Sequence, residues 1–410
     1  MRPASPTPSP AGRPPQAPAS SPTAAPQATG APPAVRLVRV SGRRELRRFV
    51  RFAIRLYRGC DCYVPPIIEA EVDILDAAVN PAFDFCEATY WMALRPDGEE
   101  VGRIAGFINR KFNEQYDRRE CRFCFVDFVD DEAVSRALLD AVRAWGRERG
   151  MTTMVGPLGL TDLDYEGCLV EGFDQLATIA TIYNYPYYAR HFEAYGMRRD
   201  AAWNEYRMRI PDHVPAKHLR VAEAVSRRYG LRVFTERNAR VMVGRWGRKI
   251  FALLNQCYAP LYGFTELTER QIDYYIRLYL PNIRLDCVRL VADADDNLIA
   301  FGITCPSLSR AQQRARGRMW PLGWLHLLRA LRMRGGTDTW DLYLVGVRPD
   351  YQGKGVNALL FTELIPQARR NGYRWCESNP ELETNRRVQD QWLDFERTLH
   401  KRRVSFRCEI

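Results

Sequence analysis

One segment restricts the fold of this chain more than any other. Residues 342–361 begin with the apolar run Leu-Tyr-Leu-Val-Gly-Val, pass through a Pro-Asp turn into Gly-Lys-Gly, and end in an amphipathic pattern. A short apolar run bounded by turn residues predicts a buried strand, and apolar positions three and four residues apart predict a helix. The segment therefore predicts a strand, a glycine-rich loop and a helix in direct succession.

The same order of predicted elements occurs twice along the chain. In the first half, strands are predicted at 35–40, 85–94, 101–108, 122–129 and 152–155, and helices at 43–58, 131–149 and 187–194. In the second half, strands are predicted at 231–235, 287–292, 298–305, 341–347, 373–377 and 404–408, and helices at 240–257, 269–279, 357–370 and 385–399. This alternation predicts an α/β (α+β) chain with a mixed sheet flanked by helices in each half.

Composition sets the expected domain boundaries. Residues 1–34 contain eleven prolines and no acidic residue, and such a segment cannot bury enough apolar surface to offset the entropy of ordering. We expect a disordered arm there. The rest of the 410 residues is long enough for two domains, predicted at 35–212 and 213–410.

Charge restricts the partners and the compartment. The chain has 60 Lys and Arg against 49 Asp and Glu, a net charge of +11. A basic surplus suits nucleic acid, an anionic membrane or a polyphosphate ligand. The sequence has no run of five or six basic residues, which is the pattern typical of a nucleic-acid-binding tail. No apolar run approaches the roughly 18 residues that span a bilayer, and no secretory signal pattern follows Met1. We therefore expect a cytoplasmic protein.

The eleven cysteines do not indicate a metal site. Cys121 and Cys124 form a C-x-x-C pair and Cys60 and Cys62 a C-x-C pair, but no second pair follows at zinc-finger spacing. We expect buried, reduced thiols and no metal.

The Gly-Lys-Gly loop is suited to bind phosphate, because glycines allow close approach of an anion and the amides of the following helix point at it. A nucleotide P-loop is excluded, since Lys354 is followed by Gly355 and not by Ser or Thr. A dinucleotide fingerprint, G-x-G-x-x-A ending at Ala358, fits less well, because residues 348–352 separate it from its strand. A plain strand-to-helix turn is the structural alternative.

The segment resembles motif A of the GNAT superfamily of acyl-CoA-dependent N-acyltransferases. That motif has Val-x-Pro at the end of a strand and then [Q/R]-x-x-G-x-[G/A] at the start of a helix. This chain has Val347-Arg-Pro349 and then Gln352 to Asn357, with Asn357 where the family usually has Gly or Ala. The resemblance implies two tandem GNAT-like folds with mixed, mostly antiparallel sheets.

The resemblance also implies roles for individual residues. The loop amides expected to bind the CoA pyrophosphate are those of Gln352, Gly353, Lys354, Gly355, Val356 and Asn357. The backbone of Gly346 and Val347 would pair with the pantetheine arm. Asn385 matches the family's Asn on a later helix, but Trp392 replaces the Tyr that protonates the CoA thiolate. Hence either Tyr343 or Tyr351 is expected as the hydroxyl donor, or the thiolate leaves toward solvent. Glu377 first and Glu383 second are expected as the base that deprotonates the amine.

The first half departs from the motif. Between the strand ending at Val129 and the next helix there is only Asp130-Asp131-Glu132, and these carboxylates would repel pyrophosphate. We therefore expect a degenerate copy that does not bind CoA. The polar loop 159–167 and the aromatic stretch 184–188 are predicted either to line an acceptor pocket or to be packed connections.

Residues 310–334 interrupt the second half with tryptophans, leucines and arginines. Such a segment fits either an anionic membrane surface or a lid packed on the core, and both interpretations stay open.

The sequence thus predicts an N-acyltransferase that uses an acyl-CoA, with acetyl-CoA favoured, and no metal. It is expected to transfer the acyl group to a small-molecule amine or amino-acid-like acceptor. Two alternatives remain: a non-catalytic CoA-binding or scaffold protein, and a transferase that uses aminoacyl-tRNA. The acyl chain and the oligomeric state are left open.

Overall fold

The structure, a computed structural model, describes residues 35–279, 283–332 and 336–410. The predicted arm, residues 1–34, lies outside the described residues, as does Arg334 at the end of the basic segment. Residues 35–410 form one compact unit.

The elements of the first half follow the predicted order. Its strands are β1 Arg36–Arg39, β2 Cys86–Leu94, β3 Glu100–Asn109, β4 Glu120–Phe128, β5 Thr153–Gly156, β6 Cys168–Glu171 and β7 Arg198–Arg209. Its helices are α1 Gly42–Leu56, α2 Ile68–Leu75, α3 Arg110–Gln115, α4 Glu132–Glu148 and α5 Tyr187–Ala194.

The second half repeats this order with an insertion. Its strands are β8 Arg232–Phe234, β9 Val288–Ala292, β10 Leu298–Pro306, β11 Thr339–Val347, β12 Trp375–Ser378, β13 Glu381–Leu382 and β14 Arg397–Glu409. Its helices are α6 Ala216–Tyr229, α7 Ala239–Val241, α8 Arg248–Tyr258, α9 Glu269–Tyr279, α10 Ser309–Ala315, α11 Gly323–Arg332, α12 Asn357–Arg370 and α13 Arg386–Asp390, with a π-helical turn Met242–Gly247 between α7 and α8.

The strands of both halves join in one mixed sheet in the order β1-β2-β3-β4-β5-β14-β7-β12-β11-β10-β9-β8. The β4–β5 and β11–β12 pairs are parallel, and the other pairs along this order are antiparallel. The predicted fold class, a mixed and mostly antiparallel sheet flanked by helices, is confirmed. The predicted division into 35–212 and 213–410 stays a prediction.

The two halves exchange strands. The C-terminal strand β14 lies between β5 and β7 of the first half, and β7 in turn pairs with β12 of the second half. Helices cover both faces of the sheet. In the first half, α4 and α5 pack on one face and α1 and α2 on the other; in the second half, α6 and α12 face α8 and α9 across the sheet.

One predicted helix is wrong. The sequence favours a helix over 385–399, but α13 ends at Asp390 and β14 begins at Arg397. Strand pairing decides the outcome: residues 397–399 pair with 206–208 of β7, and Val404 and Phe406 further along β14 are buried. Tertiary context of this kind overrides local helix propensity.

A buried ionic cluster lies where β7 meets β14. Glu205 is 0% exposed, and its carboxylate lies 3.0 Å from Nζ of Lys401 and 2.5 Å from Nε of Arg403. Burial opposes ionisation of Glu205, but the charges of Arg403 and Lys401 outweigh it and hold the pKa of this carboxyl below its usual range. The cluster therefore joins a strand from the middle of the chain to the C-terminal strand with its charges compensated.

We expect Glu205→Gln to lower the free energy of unfolding by about 3–5 kcal/mol, because it leaves buried Arg403 without a counter-charge and Lys401 with only the more distant Glu377. Denaturant unfolding monitored by circular dichroism measures this. The matched control is Glu99→Gln, which breaks the exposed pair with Arg95 and should cost about 0.5 kcal/mol or less. Equal effects of the two substitutions would contradict the structural role of the cluster.

Candidate active site

The glycine loop, residues 352–356, leads into α12 and is separated from the end of β11 by Arg348 and the 3-10 turn Pro349–Tyr351. Gly353 and Gly355 have φ of +74° and +81°, a backbone conformation that side-chain-bearing residues rarely adopt. At Gly355 an added Cβ would lie 2.6 Å from Cγ1 of Val221 on α6. The shape of the loop therefore depends on glycine at this position.

The surroundings of the glycine loop favour an anion. The first turn of α12 has no acidic residue and no side-chain cap. The Ala358 and Leu359 amides donate to the carbonyls of Gly355 and Val356, so it is the helix dipole that favours a negative group here. The Lys354 ammonium lies 5.4 and 5.3 Å from the ring centres of Tyr229 and Tyr351, and Arg387 Nη1 lies 3.4 Å from Gln352 Oε1. These features fit a phosphate-bearing ligand.

Asn357 does not point its amide nitrogen at such a ligand, because Nδ2 donates to Oε1 of Gln391 at 3.0 Å. Its Oδ1 is buried without a hydrogen-bond partner among the described residues. The residue that departs from the family motif is therefore tied to the segment after α13.

A gap opens beside the loop where β11 and β12 separate. The two strands pair in parallel from Thr339 and Trp375 as far as Leu342 and Ser378. β12 then ends, while β11 continues to Val347 along β10. Asn379 Nδ2 donates to the Tyr343 carbonyl at 3.1 Å across the start of this gap. Gly346 and Val347 lie on the stretch of β11 beyond the paired region.

β11 carries a bulge at the start of the gap. Ile303 lies opposite Leu344 and Thr304 opposite Leu342, so Tyr343 is an extra residue in β11. Bulges re-aim side chains and are frequent next to active sites. The Tyr343 side chain packs against the cluster formed with α8 and α9. Tyr258 of α8 is half-buried, and its phenol is hydrogen-bonded to the Val345 backbone in the same region.

Asp341 is a site residue that the sequence analysis missed. Its side chain is buried, and neither carboxylate oxygen has a hydrogen-bond partner of normal geometry among the described residues. Burial, together with the negative charge of Glu377 beside it, raises the pKa of Asp341 to about 8. An acidic residue within an apolar strand was the available signal, but the sequence alone did not show that it lies next to the gap.

The structure separates the two predicted bases. Glu377 lies opposite Asp341 in the β11–β12 pairing, and its Oε2 is 3.5 Å from Lys401 Nζ. Glu383 pairs instead with Arg402 at 2.6 Å, with its side chain 49% exposed. Only Glu377 of the two adjoins the gap.

Asn385 stands at the start of the short α13, and its side chain does not cap that helix. Trp392 is buried, and its Nε1 donates to Oε1 of Glu381 at 2.7 Å. The indole is therefore part of the packing beside the gap, and another group must protonate a leaving thiolate.

The first half lacks an equivalent anion site. Asp131 caps α4 by accepting from the Ala133 amide at 2.9 Å, and Asp130 bonds Arg190 and His191 at 2.6 and 2.7 Å. These carboxylates occupy the helix end where pyrophosphate would lie. The structure thus supports the expectation that this copy is degenerate.

Both stretches expected around an acceptor pocket contribute to a cavity in the first half. The cavity is lined by Tyr165 of the 159–167 loop, by Asn184 and Tyr188 of the aromatic stretch, and by the neighbouring Tyr183. Leu163 of the 159–167 loop packs on the α8/α9 cluster beside Tyr343, so this loop contacts both halves.

Cys121 and Cys124 are buried, unpaired thiols, and burial raises the pKa of Cys121 to about 12. Within the described ranges, no group of three or more His, Cys, Asp or Glu side chains is arranged to hold a metal ion.

Fold and site together define an acyltransferase architecture of the GNAT type. Residues 248–388 match the family model described as acetyltransferase (GNAT) family. A tandem GNAT protein from the clavulanic acid biosynthesis pathway superposes with a TM-score of 0.52 at 14% identity, over 92% of this chain and 98% of that one. Residues 248–388 therefore match the GNAT family, and the chain has the fold of tandem GNAT proteins.

Further similarities agree with this assignment. The GCN5-related glucosamine N-acetyltransferase region of a fungal multi-domain GH3 β-N-acetylglucosaminidase shares the fold, with a TM-score of 0.53 and 12% identity over 92% of this chain and 38% of that longer chain. Protein YghO of Escherichia coli is 29% identical over 80% of this chain and 83% of its own length. The bacterial ceramide synthase of Caulobacter vibrioides is 26% identical over 83% of this chain and 89% of its own.

In the part of the chain that the structure describes, no helix is long and apolar enough to cross a membrane.

We expect Gly355→Ala to weaken CoA binding at least tenfold, because the new Cβ strains the backbone and meets Val221. Isothermal titration of the full chain with CoA measures this. Gly372→Ala is the matched control: its φ is +85°, but no atom lies within 4 Å of the added Cβ. Unchanged binding by Gly355→Ala would show that CoA does not use this loop.

Proposed function

We propose that this protein is an acyl-CoA-dependent N-acyltransferase that transfers the acyl group directly to an amine. One observation carries the proposal. A glycine loop at the start of α12 adjoins a gap between β11 and β12. Asp341, a buried carboxylate with no hydrogen bond of normal geometry among the described residues, lies where these strands begin to separate.

The proposed roles follow from this arrangement. The loop amides from Gln352 to Asn357 hold the pyrophosphate, and the edge of β11 at Gly346 and Val347 pairs with the pantetheine arm. The acyl thioester then lies in the gap near Asp341. An anion-binding loop and a strand edge thus position the reacting carbon beside a base.

Asp341 is a better proposed base than Glu377, which the sequence favoured. Glu377 is engaged in an ion pair, since its carboxylate lies 3.5 Å from Lys401 Nζ. Asp341 has no ammonium within ion-pair distance among the described residues, and burial outweighs the opposing effects of Ser307 and Lys401 on its pKa. A pKa of about 8 is also close to the working pH, where a general base is most effective.

In the proposed reaction the amine nitrogen attacks the thioester carbonyl carbon as Asp341 accepts its proton. The C–N bond forms, the C–S bond breaks, and the CoA sulfur leaves as a thiolate. Tyr343 is the proposed donor of the proton that the thiolate takes up. The products are an amide and free CoA.

The relative from Caulobacter vibrioides suggests the substrate class. Ceramide is the amide of a long-chain base and a fatty acid, and that relative covers 83% of this chain. We therefore favour a long-chain acyl-CoA and a long-chain amine over the acetyl-CoA that the sequence led us to expect. A cytoplasmic location stays part of the proposal.

Substrate choice is tested by incubating the protein with acetyl-CoA or palmitoyl-CoA and with sphinganine or a polyamine. We expect thiol release and a new amide, detected by mass spectrometry, with palmitoyl-CoA and sphinganine. Acetyl transfer alone would contradict the long-chain proposal. CoA binding without turnover would favour a scaffold, and activity that requires tRNA and is destroyed by RNase would favour aminoacyl transfer.

Asp341→Asn should lower kcat by about 10²–10⁴-fold, the usual contribution of a positioned base, while CoA binding by titration is unchanged.

In the wild type, kcat should rise with pH as Asp341 loses its proton, with a midpoint near 8. The variant should lose this rise. Asp338→Asn, at an exposed pair with Arg374 just before β11, is the control. A wild-type pH profile in Asp341→Asn would exclude Asp341 as the base.

A further inference from the structure

The connection between α10 and α11 exposes a run of large apolar side chains. Trp320 is 78% and Leu322 60% exposed, and Met319, Trp324 and Leu325 are also exposed. Among the described residues, eleven large apolar side chains are exposed, and five of them lie within 319–325. Single exposed apolar residues are ordinary, but a contiguous patch usually marks an interaction surface.

Arginines surround this run. Those that are exposed are Arg310, Arg314, Arg316, Arg318, Arg329 and Arg332. Residues 310–332 contain no Asp or Glu, and none of the six arginines pairs with a carboxylate in the described part of the chain. Some arginines elsewhere do pair with carboxylates, such as Arg43 with Asp73 and Arg248 with Asp273. The surface is thus strongly and locally positive.

The body of the protein holds this segment in place. Gln313 Nε2 donates to the carbonyls of Asp61 and Tyr63 at 2.8 Å, the Gly317 carbonyl accepts from the Ile68 amide at 2.9 Å, and Arg284 donates to the Leu331 carbonyl at 3.0 Å. Gly323 and Ala330 of α11 are buried. The opposite side, with both tryptophans, faces outward and is not folded back as a lid.

We propose that residues 319–325 and the six arginines form a docking surface for the interface of an anionic phospholipid bilayer. Tryptophans favour the boundary between headgroups and acyl chains, and arginines near an anionic surface add electrostatic attraction. A second copy of the chain fits less well, because a twofold contact would place two such arginine clusters against each other. The proposal does not depend on the acyltransferase activity.

The test is co-sedimentation of the full chain with vesicles, in the absence of acyl-CoA. One set is phosphatidylcholine alone, and the other is phosphatidylcholine mixed with phosphatidylglycerol. We expect binding to the anionic vesicles, weaker binding as salt is raised, and a blue shift of tryptophan emission on binding. Failure of the wild type to bind anionic vesicles at low salt would overturn the proposal.

Matched variants test whether the arginines of this surface, and not the basic charge of the whole protein, account for vesicle binding. The triple variant Arg314→Gln, Arg316→Gln, Arg318→Gln should bind roughly a hundredfold more weakly, since each arginine near the surface contributes roughly fivefold. The control triple Arg118→Gln, Arg119→Gln, Arg147→Gln changes exposed arginines of the first half and should bind as the wild type does. An equal loss in both triples would contradict a specific docking surface.

The apolar contribution is tested by Trp320→Ala with Leu322→Ala, which should weaken binding at least tenfold and remove the emission shift. Leu219→Ala with Leu393→Ala, at positions 50% and 63% exposed, is the control. Light scattering tests whether a second copy of the chain covers this surface instead. The proposal would be overturned if the wild type formed a dimer that Trp320→Ala dissociates and did not bind vesicles. Because no substrate is present, a failed acyltransferase assay would not affect this result.

Discussion

The pairing of β7 with β14 is the interaction on which the rest of the structure depends. Each strand lies against the other half of the chain, so the sheet runs through both halves. Glu205, Lys401 and Arg403 compensate one another where the strands meet. β7 also supplies the neighbour of β12, and Lys401 reaches Glu377 on β12. The strand that forms one side of the active-site gap is therefore held by the exchange between halves.

This arrangement explains how one sheet contains two copies of a fold with different properties. In the second half, the glycines and the start of α12 are suited to an anion. In the first half, Asp130 and Asp131 occupy the corresponding helix end. The first copy instead contributes β7 and the 159–167 loop, whose Leu163 packs beside the second site.

Much of the fold could be predicted from the sequence because its signals are local. The succession from β11 through the glycine loop to α12 depends on apolar runs, turn residues and glycines within about thirty positions, and it is observed as expected. β7 was not predicted, because its buried positions include Asn204 and Glu205, which hide the alternation of apolar and polar residues. The helix over 385–399 was wrong because β14 pairs with strands far away in sequence.

The candidate site was likewise predictable where its signals are local and not where they depend on distant parts of the chain. The glycine loop was predicted from its own residues, whereas Asp341 was missed because its importance depends on where β12 separates from β11. Glu377 and Glu383 are six residues apart, yet only Glu377 adjoins the gap, and no local pattern distinguishes them. Net charge likewise did not separate the arginines of 310–332, which lack acidic partners among the described residues, from the many that are paired.

The central claim is that acyl-CoA binds in the gap of the second half with its thioester beside Asp341. A crystal structure of the full chain with a non-hydrolysable thioether analogue of palmitoyl-CoA tests it most directly. We predict the pyrophosphate on the amides of residues 352–357 and the thioether between β11 and β12, with Asp341 facing the carbon that the amine would attack. An analogue bound in the first-half cavity, or outside the gap, would contradict the account.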